Sequence, residues 1–348
     1  MDYTKQFINN GVSIEDKKKE LCEPREQTLA SIFSLTTYKE VVDIHKKYRI
    51  YGLSVYDYKK VEEKIRNQNT FLSRNYIYDK ISGTKIPLKD LVISANHNPH
   101  RYHALIQNRI NTLTSEATEQ KLKPIFMTLT LPSKYHRYKT NIKTKKLETN
   151  PKYEYIIPRE SVKELTKMFS KLRQDRSLKE LTKDERIYFR VNEPHKNGTP
   201  HTHILLFVPK TRIDRVVTAF KRLFNTKAND IQTNIENATA YIMKYINKTL
   251  PLSKKSNLST KDKYMNAWYA KNRIIRFNCS RTLAPLNLYR LLHQRYNLKE
   301  LTKIVKRKSL DIFVLPDNRN KIMEVFEKNV LVYRRSENYS MGSDSIDF

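Results

Sequence analysis

Glycine is scarce in this 348-residue sequence, with five in all, and cysteine scarcer, with two. The glycines are Gly11, Gly52, Gly83, Gly198 and Gly342, and none lies in a GxxxxGKS/T or GxGxxG arrangement. A phosphate-cradling P-loop and a dinucleotide-binding turn both need such clusters, so an NTP-driven motor and a Rossmann cofactor site are disfavoured. Cys22 and Cys279 are far apart, so neither a disulfide framework nor a CxxC metal site is expected, and a reducing cytoplasm fits. Long apolar runs are also missing. The longest, such as HILLFV at 203–208, falls far short of the roughly 20 residues that span a bilayer. The first twenty residues lack the apolar stretch of a signal peptide. The expectation is a soluble, cytoplasmic protein with no membrane partner.

Acidic residues are outnumbered. There are 36 Asp and Glu against 67 Lys and Arg, a formal net charge of +31. Such a balance points to a polyanionic partner, most often nucleic acid. An AT-rich coding sequence would also enrich Lys, Asn, Ile and Tyr, so charge alone does not show that partner. At 39% hydrophobic residues the chain can still bury a sizeable core.

Periodicity divides the chain. Residues 1–120 read mainly as helix, with apolar residues at helical spacing between charges over 34–74 and again after Pro99. On charge alone, this N-terminal region is expected to help bind DNA. From Pro124 the character changes. PIFMTLTLP reads as a strand, 137–155 as a polar basic loop or insertion, and 159–177 as helix. ERIYFRVNEP and HTHILLFVP read as strands, 211–227 as a basic helix, and 230–250 as a short extended piece that becomes helix near Asn237. That order predicts an α+β fold with a central, mainly antiparallel sheet and flanking helices. PLSKKSNLSTKDK reads as a flexible basic connector, and the tail from Ser336 as polar and loose. The expected domains are a helical region at 1–120, a sheet domain at 121–290 and an extension at 291–348.

Two stretches carry chemistry. In NEPHKNGTPHTHILLF (192–207), His201 and His203 alternate with Thr202, so on a strand both imidazoles face one way. Two imidazoles on one face can share a divalent cation, although an HxH pair by itself is more often a surface or core feature. Asn197-Gly198 marks a hairpin. A two-residue loop sets Glu193 opposite Thr202, facing away from both histidines. A three-residue loop, with Gly198 left-handed, pairs Glu193 with His201 and brings all three onto one face. The sequence does not choose between them. In the second register three ligands with open positions suit a catalytic Mg²⁺ or Mn²⁺. His195 would share that face, and its plainer reading is a turn-adjacent surface histidine.

In NATAYIMKYINKTL (237–250), Tyr241 and Tyr245 lie four residues apart and share an arc of about 100° with Lys244 and Lys248. Ile242, Ile246 and Leu250 fill a separate apolar arc, so the tyrosines are not needed for the core. A phenol with a pKa near 10 is a poor nucleophile until a cation polarises its target and stabilises the phenolate. Histidine hairpin and tyrosine helix together favour metal-dependent transesterification of a phosphodiester.

These residues resemble the HUH endonucleases, in particular the two-tyrosine replication initiators of the bacteriophage replication gene A protein family. FMTLTLPSKYH, NEPHKNGTPHTHILLF and YIMKYINK match three of its motifs in order, and AWYAKNRIIRFNCSR resembles its trailing segment. The match covers residues 95–285. The resemblance implies that His201 and His203 are metal ligands with Glu193 the candidate third, that Tyr241 and Tyr245 are nucleophiles, and that Lys244 is the catalytic lysine between them. Thr202 departs from the hydrophobic residue the motif implies, but it is β-branched and suits a strand. The implied activity is nicking of single-stranded origin DNA, leaving a 5′-phosphotyrosine link and a 3′-OH for a host DNA polymerase, with a host helicase to unwind. A non-catalytic nucleic-acid-binding protein would explain the charge and the 22 tyrosines but not the motif order. A transposase or relaxase would keep the chemistry and change the biology.

Overall fold

A computed structural model describes residues 49–348, apart from 145–146, 251–256, 337 and 344–348. The expected helices before residue 49, Cys22, the start of the basic connector and the last five residues of the tail lie outside the described residues. Contacts within the chain group residues 50–348 into one compact unit.

In chain order, α1 (Val55–Arg74) leads into β1 (Asn75–Asp79) and β2 (Lys85–Pro87), and α2 (Pro99–Glu119) precedes β3 (Lys123–Thr130). A small hairpin, β4 (Tyr138–Thr140) and β5 (Leu147–Thr149), comes before α3 (Pro158–Gln174). Then follow β6 (Ile187–Pro194), β7 (Pro200–Val208), α4 (Ile213–Leu223), β8 (Asp230–Gln232), α5 (Ala238–Thr249), α6 (Thr260–Asn272) and β9 (Phe277–Cys279). α7 (Leu286–Leu292) and α8 (Leu298–Lys306) lead to β10 (Leu310–Leu315), β11 (Asn318–Glu327), β12 (Val330–Arg334) and β13 (Tyr339–Ser343).

The central sheet has the order β8-β3-β7-β6-β9, with every neighbouring pair antiparallel. The fold is therefore α+β, as the element order predicts. Side chains alternate across the sheet. Ile125, Met127, Leu129, Ile204, Leu206 and Val208 form one core with Leu165 and Phe169 of α3 and Val216 and Phe220 of α4. On the other face, Phe126, Phe189, Val191, Leu205 and Phe207 pack with Ile106, Ile110 and Leu113 of α2 and Ile242 and Ile246 of α5. Every residue of β7 is buried, because helices cover both its faces. That explains its near-continuous apolar run.

Side chains set several helix starts. Asn98 accepts from the Arg101 amide with Pro99 at the first helical position, and Asn237 accepts from the Ala240 amide at 2.8 Å. Ser54 with Asp57, and Ser259 with Asp262, form capping boxes for α1 and α6.

Four local expectations change. The N-terminal stretch is not helix throughout, because β1 and β2 form a three-stranded sheet with β13. The polar tail is therefore not loose over Tyr339–Ser343, which pairs with β1 in the register Asn75↔Ser343 to Asp79↔Tyr339. Gly342 allows it, since a Cβ there would sit 2.6 Å from the Tyr76 ring. The polar insertion holds the β4–β5 hairpin. The last part of the expected connector is the first turn of α6, where Ser259-Thr260-Lys261-Asp262 acts as a capping box rather than as a linker.

Candidate active site: a histidine hairpin beneath a tyrosine helix

β6 and β7 pair with Glu193 opposite His201 and Val191 opposite His203. The His195 amide donates to the Thr199 carbonyl at 2.8 Å, leaving a three-residue loop of Lys196, Asn197 and Gly198. This is the register that shares one face among Glu193, His201 and His203. Tertiary contacts support it. Asn197 Nδ2 donates to the Tyr138 carbonyl at 2.8 Å and meets His136 Nδ1 at 2.9 Å, and Trp268 Nε1 donates to the Gly198 carbonyl at 2.9 Å. Gly198 has φ +90°, and any Cβ on it would collide with the Tyr51 carbonyl.

The three expected ligands are buried, with exposures of 2% for Glu193, 7% for His201 and 6% for His203. His201 Nε2 and His203 Nε2 lie 2.9 and 3.1 Å from Glu193 Oε1. Lys248 Nζ reaches the same oxygen at 2.9 Å. The ligand atoms all lie within 4.8 Å of one another, so the group can hold a metal ion. The donor set fits: two imidazoles and a carboxylate leave positions open for a substrate. Glu193 Oε2 is buried with no hydrogen-bond partner, an orphan that a cation would satisfy. Thr128 Oγ1 sits 3.1 Å from His203 Nδ1 and can orient that ring with Nε2 toward the site. Burial would raise the Glu193 carboxyl, but the bonds from His201 and His203 outweigh it and hold it far below the usual range. Burial lowers His203. The site thus presents an anionic carboxylate beside an imidazole biased toward the neutral, ligating form.

His195 is not the surface residue of the plainer reading. It is half-buried, its ring centroid 4.0 Å from that of His201. Burial and the neighbouring imidazoles push its pKa down to about 3.

α5 lies over this face. The Tyr245 ring is 4.0 Å from the His203 ring and stacks on Phe126 at 5.3 Å. Burial first, then Tyr241 and the Glu193 charge, raise the Tyr245 phenol well above its ordinary value. The Tyr241 ring is 6.0 Å from that of Tyr245, and its hydroxyl donates to Gln232 Oε1 on β8 at 3.0 Å. Lys244 is exposed. The lysine that meets the carboxylate is Lys248, one turn later. The end of α5 is held by Arg276, a buried guanidinium that donates to the Thr249 carbonyl and Asn266 Oδ1 and stacks 4.0 Å from the Tyr269 ring. Thr202 also finds a purpose: its hydroxyl donates to Asn192 Oδ1 at 2.6 Å.

Sequence reasoning placed Lys248 on the tyrosine arc without seeing its contact with Glu193. Thr128 and Gln232 carry no local signal, since only sheet pairing brings them to the site. Arg276 lay within the trailing segment but without a role.

The family described as bacteriophage replication gene A protein (GPA) matches residues 36–252. A replication protein of Haemophilus phage HP1 is 30% identical over 48% of this chain and 22% of its own length. The replication gene A protein of Escherichia phage P2 is 28% identical over 52% of this chain and 25% of its own. A probable replication endonuclease from a prophage-like region of Salmonella typhi is 28% identical over 63% of this chain and 29% of its own. The chain thus spans less than a third of the length of each of these relatives. No solved structure matches it.

Proposed function

This chain belongs to the bacteriophage replication gene A protein family, and from that premise we propose that it is a replication initiation endonuclease of the HUH type, nicking single-stranded origin DNA. The observation that carries the proposal is the convergence of Glu193, His201 and His203 on one buried face, with Tyr245 in ring contact with His203. The name replication endonuclease on relatives supports the same reading.

In this reading Glu193, His201 and His203 would hold Mg²⁺ or Mn²⁺. When bound, that ion would polarise the scissile phosphate and ease loss of the phenolic proton. The Tyr245 oxygen attacks phosphorus and the P–O3′ bond breaks. The 5′ phosphate stays on the tyrosine, and the departing oxygen takes up a proton to become a free 3′-OH. Phe126 and His203 fix the Tyr245 ring so that little rotamer freedom is lost on attack. Lys244, exposed between the two tyrosines, is placed to meet a phosphate. Tyr241, held aside by Gln232, is the reserve nucleophile for rejoining in a rolling circle. A host polymerase would extend the 3′-OH and a host helicase would unwind the duplex, in the cytoplasm. We assign the chemistry to residues 121–290, with 1–120 and 291–348 as flanking regions, the former for DNA binding. No helix among the described residues is long and apolar enough to cross a membrane.

The test is a cleavage assay with Mn²⁺ on single-stranded oligonucleotides tiled across the DNA flanking the gene. A covalent adduct is expected, mapped by mass spectrometry to Tyr245. Tyr245→Phe should lower first cleavage by at least about a hundredfold, a loss on the scale of a removed nucleophile. Tyr241→Phe should leave it nearly intact. Cleavage by the double variant would sink the tyrosine mechanism, and a wild type that binds DNA but forms no adduct would leave a binding protein only.

A further inference from the structure

A cavity of about 380 Å³ opens at the turn end of the histidine hairpin. Asn197, Gly198, Thr199 and Pro200 form one wall, so the cavity adjoins the strand residue that precedes His201. The first turn of α3 and the end of α6 form others. Its lining is unusual in charge. It includes Arg137, Arg159, Lys271 and Arg273 and no Asp or Glu. Lys271 is paired with Asp57 at 2.5 Å. Arg137, Arg159 and Arg273 are exposed at the rim. Tyr135, Tyr138 and Tyr153 contribute half-buried rings, and the Arg137 guanidinium lies 5.4 Å from the Tyr138 ring.

Guanidinium groups around tyrosine rings match a phosphate attached to a flat, polarisable base. The volume is at the small end of ligand sites, of order 300 Å³ and upward, and suits one nucleotide rather than a duplex. The cavity is also tied to the metal face. Asn197, in its wall, bonds His136, whose ring is 5.8 Å from His195, which in turn packs on His201. From Pro200 to His203 along β7 is roughly 10 Å at about 3.3 Å per residue, which one or two nucleotides of single strand can bridge.

We propose that this cavity takes one nucleotide of the single-stranded DNA, near the scissile phosphate, with its base against the tyrosines and its phosphate among Arg137, Arg159 and Arg273. The proposal rests on the nicking function above and adds to it a subsite that would give sequence preference beside the cleavage point.

The experiment uses the full chain in EDTA, so that no cleavage occurs, with an oligodeoxythymidine carrying one 5-iododeoxyuridine. Ultraviolet crosslinks are mapped by mass spectrometry. Crosslinks are expected on Tyr135, Tyr138 or Tyr153, reduced at least fivefold in Arg159→Ala/Arg273→Ala. Both arginines are exposed, so the variant should fold, and unchanged Mn²⁺ binding would show that it has. Crosslinks confined to other residues, or unaffected by the variant, overturn the subsite. Displacement by dTMP at concentrations as low as those of the oligonucleotide would make this a mononucleotide site and overturn the strand reading. A wild type that forms the tyrosine adduct yet gives no cavity crosslink removes the subsite alone. A wild type that binds no DNA removes the nicking function as well.

Discussion

Glu193 Oε1 accepts from three cationic or ligating groups at once: His201, His203 and Lys248, all within 3.1 Å. Such crowding on a buried carboxylate has a consequence for metal loading. The Lys248 ammonium occupies a position a divalent ion would want, and like charges close together compete. Lys248→Met should therefore tighten Mn²⁺ binding by about tenfold, on the order of 1 kcal/mol for a half-exposed cation. Isothermal titration reads it directly, and equal or weaker binding would show that the lysine does not compete. Glu193→Gln should weaken binding at least tenfold, since even partners of metal ligands carry roughly 10–100-fold effects. At this scale the sequence was informative about type and poor about contact. The alternation of His201 and His203 fixes their common face. Whether Glu193 joins them depends on one residue of loop length, and that is decided by Tyr51, Tyr138 and Trp268, distant in the chain.

Among elements, the hairpin turn is the most constrained. Gly198→Ala would need a left-handed backbone and would collide with the Tyr51 carbonyl. A loss of about 2–3 kcal/mol is expected in urea unfolding, with reduced Mn²⁺ affinity because the register of Glu193 against His201 is disturbed. A loss below about 0.5 kcal/mol, typical of unconstrained surface sites, would contradict it. The contact between α1 and α6 gives a pH signature. Burial raises the Asp57 carboxyl, but the Lys271 bond and charge and the Ser54 bonds outweigh it, so its pKa lies below the ordinary value. A depressed folded-state pKa means stability that is present above the unfolded value, about 3.9, and is lost as pH falls through the folded one. Asp57→Asn should be less stable than wild type at pH 7, and the gap should close progressively below about pH 4. A gap independent of pH would show that the carboxylate charge does not matter. The longer helices and strands from Pro124 to Thr249 were legible because each is a sustained periodic or apolar run, and Asn237 marks the start of α5; the β4–β5 hairpin inside the polar insertion was not. β1, β2 and β13 were not, since their pairing joins chain segments far apart and their sequences are short and polar.

For the molecule as a whole, the +31 charge bears on how DNA would be held in the proposed function. If binding single-stranded DNA releases counterions from some six or more phosphates, affinity should fall about three-hundredfold or more between 50 and 200 mM salt. A shallow slope in fluorescence anisotropy would mean that the lysine excess is compositional rather than functional. If the proposed nicking chemistry holds, the tyrosine helix bears on how strand exchange would proceed. β7, which carries both histidines, is wedged between two cores, and α5 is pinned at its end by Arg276. Among the described residues, these contacts fix the tyrosine helix against the sheet. The two phenol rings nevertheless stand 6.0 Å apart on a single helix, one tucked against His203 and the other tethered to Gln232. Handing the DNA from one to the other would then require a side chain to swing on a nanosecond scale rather than a domain to reorganise over milliseconds. The slow step of the cycle would belong to the nucleic acid, as the next stretch of single strand is drawn across a stationary protein.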